Sequence, residues 1–137
     1  MRQVSRFFPF LICHIKHGFQ VAERRHSVCV IIVTCLECTN RVSVPQFILD
    51  SLILSNRGSQ ASILITQPRR ISAISVAARV SEERIEDGSV GYAIRGESKQ
   101  GKNTKLLFCT TGVVLRRLST GDTLQDVSHI VVDEVSV

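Results

Sequence analysis

Apolar residues come in short, β-branched blocks along this chain, with stretches of helical spacing between them. Residues 27–34 (SVCVIIVT) are apolar on both faces over a strand's length, as in a buried parallel strand. Ser43-x-x-Gln46, ahead of Phe47, Ile48, Leu49, Leu52 and Ile53, reads as a capping box opening a short helix, with Pro45 tolerated in its first turn. Asn56-Arg57-Gly58-Ser59 is loop chemistry. Residues 61–66 (ASILIT) are a second buried strand, ended by Gln67-Pro68.

Between Ile71 and Glu83, Ile71, Ile74, Ala77 and Ala78 recur at helical spacing, with Val80 a further candidate for the same face. Asp87-Gly88 is a turn, residues 89–94 a short strand, 96–103 a polar loop and 105–109 a further strand. Residues 111–118 read as a short helix that Gly121-Asp122 ends, and 128–132 (SHIVV) as an apolar strand delivering Asp133-Glu134 to its C-terminal end. Strands and helices alternating at this spacing predict an α/β fold, a mainly parallel sheet flanked by helices. In such sheets ligands sit beyond the carboxyl ends of the strands, here after Thr34, Thr66, Cys109 and Val132.

Length and composition narrow the class. A chain of 137 residues, 44% apolar and 21% charged, suits one domain with a single core and excludes collagen-like, mucin-like and highly charged disordered chains. No window approaches the roughly 18 apolar residues of a membrane helix, so no membrane span is expected. The net charge of +5 is uneven: residues 1–44 carry six Arg/Lys against Glu23 and Glu37, while the rest is nearly balanced. Five cysteines, an odd number, without a secretion signal read as reduced intracellular thiols. The expected location is therefore cytoplasmic or nuclear. The acid-free stretch 1–22 keeps mitochondrial targeting as an alternative. Cys35-Leu36-Glu37-Cys38 has zinc-ligand spacing but lacks a matched second pair, and the cysteines read as incidental thiols.

Five blocks carry a resemblance. VPQFILD (44–50), ITQPRRISAISVAARV (65–80), VGYAIRGES (90–98), LLFCTTGVVLRRL (106–118) and VSHIVVDEV (127–135) resemble, in order and spacing, the first RecA-like domain of DEAH-type RNA helicases, nearest the RNA helicase A-like branch. The resemblance implies a RecA-like P-loop NTPase fold. It divides the chain into a basic N-terminal segment, 1–26, without assignment, and a partial helicase ATP-binding domain, 27–137.

By the same resemblance, Gln67, Pro68, Arg69 and Arg70 match a loop contacting the nucleic-acid backbone, and Thr110, Thr111 and Gly112 a second such loop. Asp133 matches the carboxylate holding the magnesium of bound ATP, and Glu134 the residue that activates the attacking water. The chemistry suits those residue types. Arg forks, hydroxyls and helix N-termini grip phosphates without reading sequence, and adjacent acids at a strand end can hold a metal and orient a nucleophile.

The phosphate loop departs from the family pattern. Its glycines fall on Thr34, Glu37 and Thr39, its lysine on Asn40 and its Ser/Thr on Arg41, so the backbone cradle, the cation and the magnesium-binding hydroxyl are lost together. After Asp133-Glu134-Val135 the sequence reads Ser136-Val137, where the family has His and then Glu-Arg. The expectation is a truncated ATP-dependent RNA helicase core, with ATP and Mg2+ as family cofactors, that does not hydrolyse ATP alone. The alternative is a non-catalytic, weak RNA-binding remnant or a non-functional product. RNA, bound without sequence preference, is the expected partner. Self-association is expected through residues 128–132 as a flat apolar edge.

Overall fold

A computed structural model describes residues 19–25, 28–33 and 38–133. The chain runs β1 (Phe19–Arg25), β2 (Val28–Val33), α1 (Cys38–Leu54), a 3-10 turn (Gly58–Gln60), β3 (Ile63–Gln67), α2 (Arg70–Glu83), β4 (Val90–Ile94), β5 (Glu97–Lys99), β6 (Leu106–Thr110), α3 (Thr111–Ser119) and β7 (His129–Asp133). Among the described residues these strands form one sheet ordered β1-β2-β7-β3-β6-β4-β5. The five inner strands are parallel, and β1 and β5 pair antiparallel at the two edges. This is the expected α/β architecture with a mainly parallel sheet.

Alternation along the strands divides the core into two layers. Ile63 and Ile65 of β3, Leu106 and Phe108 of β6 and Val131 of β7 pack with Val44, Ile48 and Leu49 of α1 and with Ala77 and Val80 of α2. On the other face Leu64, Cys109 and Ile130 pack with Val113 and Val114 of α3 and with Leu124 and Val127. Being buried on both sides, β3 reads as an unbroken apolar run rather than an alternation. Polar links close the helix layer, with Arg84 Nη1 3.0 Å from Asp50 Oδ1 and Gln46 Nε2 donating to Glu83 Oε2 at 2.8 Å.

Four features differ from the sequence reading. The strand at residues 128–132 is not an edge: β7 pairs with β2 on one side and with β3 on the other, which removes the basis for self-association there. Helix α1 begins at Cys38 rather than at Ser43, so buried Pro45 lies inside it, with no N–H to give to the turn before. The polar stretch 96–103 contains β5, which folds back on β4 as Tyr92↔Lys99 and Ile94↔Glu97. Within the segment left without assignment, Phe19–Arg25 forms β1 and pairs with β2.

Turn geometry accounts for two positions. A Cβ on Gly91 would lie 2.5 Å from the Lys99 carbonyl oxygen, so the close return of β5 requires glycine there. At the end of α2, Glu86 N–H bonds Ser81 O at 2.8 Å and Ile85 N–H bonds Glu82 O at 3.0 Å, the two bonds of a Schellman cap. Ile85 fills its left-handed position at φ 55°, where glycine is usual, with its side chain 90% exposed.

Candidate nucleotide and nucleic-acid site

The parallel strands end in a row. Registers pair Val33 with Asp133, Thr66 with Val132 and Gln67 with Thr110, so the carboxyl ends of β2, β7, β3 and β6 lie side by side. Gln67, Pro68, Arg69, Arg70, Thr110, Thr111, Gly112 and Asp133 fall along that row or just past it, where an open parallel sheet offers its helix N-termini to ligands.

At its centre the row is polar and closed to solvent. Asp133, with its side chain 2% exposed, ends β7 and accepts a 2.8 Å hydrogen bond from Gln67 Nε2 at the end of β3. Arg41, on the first turns of α1, brings its Nε to 3.1 Å from the same carboxylate oxygen. Gln67 Oε1 and Thr66 Oγ1 are buried without a hydrogen-bond partner among the described residues. The carboxylate is thus compensated in charge by the guanidinium, whose Nε meets it as an ion pair and not as a hydrogen bond, and in hydrogen bonding by the amide.

Toward β6 and past the end of β3 the row opens to solvent. Pro68, Arg69 and Arg70 are exposed, with Arg69 as the N-cap of α2. Thr110 is half-buried as the N-cap of α3, and Thr111 and Gly112 are exposed on that helix's first turn. Neither helix has a side-chain cap or an acidic residue in its first turn. Both therefore turn N–H groups and the positive end of the helix dipole outward. A Cβ on Gly112 would meet nothing within 4 Å, so the backbone there is open to close approach.

The structure therefore separates residues that the sequence grouped. Gln67 is fully buried and faces Asp133, while Pro68, Arg69, Arg70, Thr111 and Gly112 form the exposed part. Glu134, and positions 34–37 of the expected phosphate loop, lie outside the described residues. Thr39, Asn40 and Arg41 fall on the first turns of α1. The pairing of Arg41 with Asp133 is the residue role the sequence reading missed. No pattern in the sequence announced it, because the contact depends on where α1 begins.

The implied metal does not fit these residues. A magnesium ion on Asp133 needs an oxygen-rich shell, and the carboxylate oxygen instead meets a guanidinium and an amide, with no hydroxyl at position 41. A cleft lined by Arg41 and Val42 of α1 and by Ile71, Ser72, Ser75 and Arg79 of α2 has about 280 Å3, at the lower limit of ligand pockets. Among the described residues no helix is long and apolar enough to cross a membrane.

No family model matches the chain. Curated proteins do match it. It is 57% identical over 100 residues to the DExH-box ATP-dependent RNA helicase DExH1 of Arabidopsis thaliana, a match covering 72% of this chain and 10% of that protein. It is 53% identical over 114 residues to the putative ATP-dependent RNA helicase DHX57 of Homo sapiens, covering 82% of this chain and 8% of that one. With the ATP-dependent RNA helicase DHX29 of Mus musculus it shares 44% over 130 residues, 88% of this chain and 10% of that one. The chain spans about a tenth of the length of the curated relatives it matches. With its α/β fold and mainly parallel sheet, the chain belongs, over most of its length, to the DExH/DEAH-box ATP-dependent RNA helicases.

Proposed function

We propose that this chain is the nucleotide- and RNA-facing part of a DExH-type helicase core, and that by itself it holds RNA backbone without hydrolysing ATP. The observation that carries the reading is the Gln67↔Thr110 register. It sets the N-termini of α2 and α3 beside each other on neighbouring strands, with Arg69, Arg70, Thr111 and Gly112 exposed between them and solvent. Two uncapped helix ends, two cations and hydroxyls make a surface for phosphates and none for base edges. RNA is accordingly the partner, and binding is sequence-independent.

ATP turnover needs a phosphate cradle, a metal and an activating carboxylate acting together. The cradle's glycines and lysine are replaced at Thr34, Glu37, Thr39 and Asn40, and the metal's place beside Asp133 is taken by Arg41. Glu134 keeps the residue type of the activating carboxylate without the rest of that set. The activity belongs to an intracellular protein, cytoplasmic or nuclear.

The test is a fluorescence anisotropy titration of single-stranded RNA homopolymers at several salt concentrations. The parent chain should bind with Kd roughly 10 µM or weaker, without base preference, and with a salt slope of roughly −0.7 per phosphate contacted. The Arg69→Ala/Arg70→Ala chain should bind more weakly with a shallower slope. If that double variant binds as the parent does, the contact lies on the basic N-terminal segment and the assignment to α2 and α3 is wrong.

A further inference from the structure

Two side chains, Gln67 and Arg41, meet at one oxygen of Asp133. Asp133 Oδ2 accepts from Gln67 Nε2 at 2.8 Å and lies 3.1 Å from Arg41 Nε. The Arg41 side chain is 15% exposed and that of Asp133 2%. Arg41 rides on the helix that follows β2, while Asp133 ends β7, which pairs with β2 as Val33↔Asp133. The contact therefore bridges the start of α1 and the end of the strand beside β2. A guanidinium suits that place by charge: it stays ionised at any ordinary pH, and its Nε meets the carboxylate as an ion pair.

Position 41 is where the family resemblance puts a hydroxyl that would share a metal with Asp133. We infer that Arg41 is a built-in substitute for that divalent ion, supplying its positive charge from the polypeptide and making closure of α1 onto β7 independent of metal. A second cation at the same oxygen would face the guanidinium at short range in a buried setting, where charges are poorly screened. The guanidinium thus brings to Oδ2 the positive charge that the ion would bring, and opposes magnesium at that oxygen. The inference concerns Asp133 and Arg41 alone and does not depend on whether the exposed ends of α2 and α3 grip RNA.

Thermal melting of the full chain in excess EDTA and in millimolar magnesium tests this, with Arg41→Thr placing a hydroxyl where the resemblance expects one. The parent should melt at the same temperature in both buffers. The Arg41→Thr chain should melt several degrees lower in EDTA, because it leaves a buried carboxylate short of its cation, and should recover part of the loss in magnesium. Adding Asp133→Asn to Arg41→Thr should abolish the recovery. A parent whose melting temperature rises with magnesium, a rise lost in Asp133→Asn, overturns the inference. So does an Arg41→Thr chain that melts like the parent, or one that loses stability and regains none with magnesium. If Arg41→Thr does not fold in EDTA, refolding from urea decides: recovery only with magnesium supports the substitution, and recovery in neither buffer overturns it.

Discussion

Gln67 and Asp133, 66 positions apart in the sequence, end neighbouring parallel strands and are joined by a 2.8 Å hydrogen bond from Nε2 to Oδ2. The amide is fully buried, so its partner is a carboxylate removed from water. Replacing Gln67 with Leu keeps the bulk and deletes the donor. Unfolding in urea should show a loss of about 1–3 kcal/mol, the cost of leaving a buried charged acceptor short of a bond. An unchanged midpoint would mean that the bond contributes nothing to stability.

The strand ends were legible from the sequence, and the lateral order of the strands was not. Apolar runs with polar residues at their C-terminal ends locate β2, β3, β6 and β7, and helical spacing locates α2 and α3, because burial dictates both patterns. Phe19–Arg25 (FQVAERR) and Glu97–Lys99 (ESK) carry no apolar run, since an antiparallel edge strand needs only backbone partners on one side. The SHIVV stretch is equally apolar whether it lies at an edge or between two strands, and only the paired registers decide that. At the site, residue type pointed to Asp133 as an anion at a strand end but not to Arg41, whose role arises from where α1 begins.

Ile85→Gly should stabilise the chain by about 1 kcal/mol, because a β-branched residue at φ 55° is strained where glycine is not. Asn56 closes α1 in the same conformation, at φ 57°, with a residue that tolerates it. Asn56→Val should therefore lose a similar amount. Paired urea titrations of the two variants check both signs.

Gly91→Ala should cost about 1–3 kcal/mol, since the new methyl meets the Lys99 carbonyl of β5 at 2.5 Å and backbone must shift to admit it. The variant's midpoint in urea measures the loss, and a midpoint equal to the parent's would contradict the close approach.

Tyr92 is the chain's single tyrosine, so its ionisation can be followed by ultraviolet absorbance without interference from another. Its hydroxyl donates to the Glu97 carboxylate across the β4–β5 hairpin, and that bond raises its pKa above the usual 10.0. With a raised folded pKa, the bond's contribution is complete below the ordinary tyrosine pKa and is lost as pH climbs through the raised one. Glu97→Gln should return the titration toward 10.0. A titration that is the same in both chains would show that the hairpin does not hold the pair.

Cys109 is fully buried in β6, and burial pushes its thiol up to about 12. Thiolates, not thiols, are alkylated, so iodoacetamide near neutral pH should leave Cys109 unmodified in the folded chain and label it in urea. Peptide mass mapping reads the difference.

The place of β7 has a consequence for the order of assembly. Among the described strands it is the last along the chain, yet it separates β2 from β3, and Ser128 Oγ holds the start of β3 through Ser62 N–H at 3.0 Å. A ribosome would deliver every other described strand before the one that unites them, so β1 and β2 would wait as an isolated hairpin beside the β3–β6–β4 group. Closure depends on contacts spanning most of the domain, a topology that folds slowly. The two half-sheets would expose the flanks of β2 and β3 until residues 129–133 arrive. During synthesis, this chain's vulnerability to wrong pairing lies at its future centre rather than at its rim.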